Sequence, residues 1–160
     1  MMQAIDECAV EQTSAIDEAS VPEDPKTSQP IPNARLKIAS AGIDHLSTIV
    51  HQLVELWQGP DRDEYGILQP TKEAFDAAVE LLVDAAIEAS REARAIPLGC
   101  ATTDCEGGVR VEWIRDAGSV HLVVPASGAD AAYVYHEFQD AYATEDATPQ
   151  RLIRWLRHIP

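Results

Sequence analysis

Basic residues are scarce in this chain of 160 residues: 12 Lys and Arg stand against 27 Asp and Glu, a formal net charge of −15. That deficit speaks against direct binding of nucleic acid, whose phosphates need a cationic surface. Long apolar runs are also missing. None approaches the roughly 18–20 residues that a membrane-spanning helix requires. Cysteine is limited to three, Cys8, Cys100 and Cys105, and an odd, sparse set is no secreted disulfide framework. The first twenty residues contain neither the basic nor the apolar stretch of a secretory leader, so a cytoplasmic protein with reduced thiols is expected.

Motifs for chemistry are equally thin. There is no Gly-x-Ser-x-Gly, and Gly107-Gly108 opens a strand rather than a phosphate-binding helix. Cys100 and Cys105 lack the paired short spacing of a zinc site or the Cys-x-x-Cys of a redox pair, and read as incidental loop thiols. Asp61, Asp63 and Glu64 resemble the start of a calcium loop, but its fifth position is Tyr65 and its twelfth is Lys72, neither of which suits the ion. No metal and no cofactor are expected.

What is present is a patterned single domain. Residues 1–33 read as an acidic flexible tail: Asp6, Glu7, Glu11, Asp17, Glu18, Glu23 and Asp24 face a single Lys26, aromatics are absent, and four prolines follow residue 20. Such a segment buries too little apolar surface to offset its ordering entropy. Residues 34–160 read as one α+β domain. Ile43, Leu46, Ile49, Val50, Leu53, Val54 and Trp57 form a helical stripe over 40–57, with Ser40 as cap and Gly59-Pro60 as stop. Residues 58–70 form a Gly/Pro/Asp loop. A second helix over 71–95 starts at Thr71 and carries Phe75, Ala78, Val79, Leu82, Val83, Ala86 and Ile87 on its apolar side.

From residue 100 to 138 the period changes from 3.6 to 2. Val109, Val111 and Trp113 make the inward side of a first strand, Val120, Leu122 and Val124 that of a second, and a third runs through Tyr133 and Tyr135. This predicts a three-stranded antiparallel meander with the two antiparallel helices packed on it. A last helix over 148–159 is capped by Thr148-Pro149.

The segment order resembles a family of small bacterial proteins with no known activity. The residues that carry the likeness are Trp57-Gln58-Gly59-Pro60, then Pro70-Thr71-Lys72-Glu73-Ala74 at a helix start, then Gly107-Gly108-Val109-Arg110-Val111-Glu112-Trp113 opening the meander. The likeness covers residues 40–140. It departs at Gln58, where the pattern favours Asp, and at Cys100–Cys105, where it favours prolines. It implies the fold and no chemistry.

Three groups of residues are candidates for a site. Arg110, Glu112 and His121 share the open face of the meander and could form a binding patch. Asp61, Asp63 and Tyr65 lie on the long loop, where a small-enzyme or ligand site would join them to His121. Arg151 and Arg154, with Arg157, make the one basic surface of the chain, although pairing with the acidic second helix is the plainer reading. The charge and the lack of catalytic motifs favour a non-catalytic protein-interaction module, antitoxin-, immunity- or adaptor-like, for a more basic protein. The alternatives are that small enzyme or ligand binder and, more weakly, a mimic of nucleic-acid charge. A homo-oligomer stays open.

Overall fold

A computed structural model describes residues 32–62 and 64–160 of the chain, with side chains from Ser40 onward. It is an α+β fold with three helices and a five-stranded antiparallel sheet. The elements run α1 (Pro32–Gln58), α2 (Lys72–Arg91), β1 (Cys100–Thr103), β2 (Val109–Arg115), β3 (Gly118–Val124), β4 (Tyr133–Phe138), β5 (Ala141–Asp146) and α3 (Pro149–Leu156). The strands lie in chain order, β1-β2-β3-β4-β5.

The expected meander is its centre. Two further strands correct the count from three to five. β1 is the short segment whose Cys100 was read above as a loop thiol, and it pairs with β2 through Ala101–Val111 and Thr103–Val109. Gln52 of α1 accepts the Ala101 amide at 2.7 Å, and Leu68 of the long loop donates to the Asp104 carbonyl at 3.4 Å. The outer margin of β1 is therefore occupied by side chain and loop. β5 closes the other side against β4, with Tyr142 opposite Glu137 and Glu145 opposite Val134.

The helix boundaries follow local chemistry. α1 begins at Pro32, eight residues before the expected start, and Ser40 lies inside it. Proline lacks an amide hydrogen that the first helical turn does not use, so Pro32 starts a helix instead of breaking one. The described helix thus takes in the last two residues assigned to the acidic tail; the rest of that tail lies outside the described residues. Thr71 and Thr148 cap α2 and α3 by accepting the amides of Ala74 and Arg151, each at 3.2 Å.

One face of the sheet is packed. Trp113, Val111, Val120, Leu122 and Val134 join Leu82, Ala78 and Ala85 of α2, Leu53 of α1 and Leu152 of α3 in a single apolar core. α1 reaches β1, α2 reaches β2 and β3, and α3 reaches β3 and β4. The Trp113 indole donates to the Pro97 carbonyl at 2.8 Å. Gly99 permits this: a Cβ there would stand 2.7 Å from the indole nitrogen. No described helix meets the membrane criterion of length and apolarity.

Candidate functional site

The other face of the sheet carries no described helix. Alternation places on it Arg110, Glu112 and Ile114 of β2, Ser119, His121 and Val123 of β3, Tyr133, Tyr135 and Glu137 of β4, and Tyr142 and Thr144 of β5. Three of the four tyrosines of the chain are here. Tyr142 is 74% exposed and Ile114 58%, large apolar surface for a solvated position.

Arg110, Glu112 and His121 come together on this face. The hairpin register sets Glu112 directly opposite His121, and Glu112 Oε1 lies 3.0 Å from His121 Nδ1. Arg110 joins the same carboxylate at 3.7 Å. The second ring nitrogen of His121 lies 3.0 Å from Ser119 Oγ, a residue that the sequence reading missed. The chain Ser119–His121–Glu112 has the connectivity of nucleophile, base and orienting carboxylate. That connectivity is only part of what acyl transfer requires. Acyl transfer needs amide or side-chain donors aimed at the developing oxyanion, and the ladder of a sheet directs its amides sideways into neighbouring strands. The two hydrogen bonds fix the His121 ring, and Arg110 pairs with the same carboxylate.

Val123 floors a recess of about 240 Å³ bordered by Arg110, His121, Tyr133, Tyr135 and Thr144. It is smaller than the roughly 300–1,000 Å³ of a typical small-molecule site, and nearer to what one anchoring side chain fills. The Tyr135 hydroxyl donates to Glu137 at 2.9 Å, which holds the phenol above its ordinary pKa.

The loop residues sit elsewhere. Asp61 and Tyr65 are exposed, and Asp63 lies outside the described residues. A cavity of about 410 Å³ does open between this loop, the end of α1 and β1, walled by Leu56, Pro60, Ile67, Leu68 and Cys100. Neither Asp61, Tyr65 nor His121 lines it. The joint site of loop and His121 is thus not assembled, because His121 belongs to a central strand and the cavity to the β1 margin.

The arginines at the C-terminal end are paired in two ways: Arg157 with the end of the second helix, as expected, and Arg151 and Arg154 with β5. Glu145 of β5, on the packed face, takes Arg154 at 2.5 Å and Arg151 at 3.6 Å. Arg151 also holds Asp146 at 3.3 Å, and Arg157 pairs with Glu92 just beyond α2. Glu145 further accepts the Trp155 indole at 3.3 Å. That ring stacks on His136 with centroids 3.4 Å apart. His136 is 6% exposed, and among the described residues its Nε2 has no hydrogen-bond partner, with Glu145 3.7 Å away.

Burial pushes the His136 pKa below the ordinary 6.5, and the charges of Arg154 and His158 push the same way against the opposing pull of Glu145. The unfolded chain therefore takes this proton before the folded one does. Stability is complete above pH 6.5 and falls as pH drops through that value toward the lowered folded pKa. Urea midpoints are expected to decline as pH falls below 6.5, and His136→Phe, which keeps a ring against Trp155, to flatten that decline. An unchanged slope in the variant would exclude His136 as its source.

Among the described residues no group of three or more metal-binding side chains occurs. No family model, curated protein or solved structure matches the chain. The chemistry of the site rests on its own residues.

Proposed function

We propose that this protein is a protein-interaction module that meets a more basic partner with the helix-free face of its sheet. The observation that carries the reading is that face itself: Ile114 and Tyr142 stand exposed on it beside the half-buried Tyr133 and Tyr135, with no described element above them. Large apolar side chains left exposed on an uncovered face suit an interaction site, and tyrosine is enriched in the buried centres of such sites. A net charge of −15 raises the encounter rate with cationic proteins. An antitoxin, an immunity protein or an adaptor works in this way. The free, exposed thiols of Cys100 and Cys105 suit a reducing compartment such as the cytoplasm.

The test is affinity recovery from the source organism with three forms of the full chain. One is unaltered, one carries Ile114→Arg with Tyr142→Arg, and one carries Val83→Arg on α2, an exposed position on the helical side. The expected result is one stoichiometric basic protein with the first and third forms and none with the second. Recovery of the chain alone, or retention of the partner by the second form, defeats the reading.

A second reading has its own observation, the cavity of about 410 Å³ beside β1. Its apolar walls and its size suit a small apolar ligand. Ligand-dependent shifts at Leu56 and Ile67 would favour it over the sheet face.

A further inference from the structure

The helix-free face is chemically divided. In its β2–β3 half the Glu112 carboxylate is already engaged, by Arg110 at 3.7 Å and by the His121 ring at 3.0 Å. In its β4–β5 half rings alternate with carboxylates: the register puts Tyr133 opposite Asp146 and Glu137 opposite Tyr142. Asp146 is held by Arg151. Glu137 receives the Tyr135 hydroxyl, and no cation among the described residues pairs with it.

Between Glu137 and the β2–β3 turn lies a depression of about 470 Å³, with Ile114, Asp116, Ala117 and Ser119 in its walls. Arg115 also borders it, but its guanidinium donates to the carbonyls of Ile114 and Leu98, at 2.7 and 3.1 Å. The lining thus has two carboxylates against one guanidinium that is engaged elsewhere. The exposed ring of Tyr142 flanks Glu137 across the strand pair.

We propose that this patch binds an arginine side chain of a protein partner, with the guanidinium on the Glu137 carboxylate and against the Tyr142 ring. The inference rests on the open face being the partner-binding surface, and it names what that partner presents there. A carboxylate beside an aromatic face suits a planar guanidinium, which can take two oxygens in parallel and stack on a ring. Lysine, a hydrated point charge, gains less from both groups. The excess of negative charge on the chain disfavours an anionic side chain at the same place.

The test is an NMR titration of the full chain, at physiological ionic strength, with a short Gly/Ser peptide bearing two arginines and with its two-lysine counterpart. The arginine peptide is expected to bind about two- to fivefold more tightly, with shifts centred on Glu137 and Tyr142. Glu137→Gln and Tyr142→Leu should each weaken it by about two- to fivefold. Asp84→Asn, which removes the same charge from exposed α2, should leave it unchanged. Equal binding of the two peptides, or equal weakening by Asp84→Asn, would overturn the proposal and show attraction by overall charge alone. The two readings fail separately. A partner lost with Ile114→Arg and Tyr142→Arg, beside an unselective arginine peptide, sinks only the arginine assignment. Selective peptide binding with no partner recovered sinks only the interaction module.

Discussion

Replacing Trp113 with alanine is expected to lower the unfolding free energy by about 3–5 kcal/mol. The side chain is fully buried at the centre of the one apolar core. Its removal forfeits the transfer energy of the ring and leaves a cavity that strands on both sides cannot close. The indole also satisfies the Pro97 carbonyl at 2.8 Å. Domains of this size are stable by only about 5–15 kcal/mol, so the variant should be partly unfolded at physiological temperature. Trp113→Phe keeps most of the volume and drops the hydrogen bond, for a loss of about 1–2 kcal/mol. Urea unfolding followed by circular dichroism measures both. A cost under about 1 kcal/mol for the alanine variant would contradict the packing of β2 given above.

The second large effect is expected at Glu145. Glu145→Ala should cost about 2–3 kcal/mol at neutral pH, because one carboxylate joins Arg151, Arg154 and the Trp155 indole. All three lie on α3, so the loss should loosen that helix before the sheet. Hydrogen exchange of α3 amides would register this as faster exchange than in α2. Glu145→Gln keeps an oxygen for the indole and should recover part of the loss. Removing the charge also takes away the one influence that raises the His136 pKa. The acid-side decline in stability should then continue to lower pH in the variant. Uniform exchange across α2 and α3 would show that Glu145 does not hold α3 in particular.

Much of this architecture could be read from residue order, and the gaps have physical causes. The caps at Thr71 and Thr148 were legible because a hydroxyl before a helical stripe has one obvious use. The meander was legible because Val109, Val111 and Trp113 repeat every second residue. β5 was not, since Ala141–Asp146 puts a carboxylate, Glu145, where an apolar inward residue was sought. That charge is tolerated only because α3 brings arginines to it, and no local pattern announces such a partner. Missing β5 also hid where Arg151 and Arg154 find their counter-ions. β1 was hidden by brevity: four residues between a glycine and an aspartate show too few alternations to register.

The candidate site was half legible. Pairing outward from Arg115 and Gly118, which close the β2–β3 turn, puts Glu112 against His121 on paper, and the same counting puts Ser119 beside them. The Glu137–Tyr142 patch needed β5, so neither residue was among the candidates read from the sequence.

The two margins of the sheet differ, and the difference bears on self-association. Gln52 and the Leu68 loop occupy the outer side of β1, while β5 has no described strand beyond it. A sheet that can extend at one margin only cannot polymerise by strand addition. Two copies meeting through β5 would be related by a twofold axis, and each would then present its closed side outward. Growth would stop at the pair, which spares the sheet the endless edge-to-edge extension that one open at both margins invites.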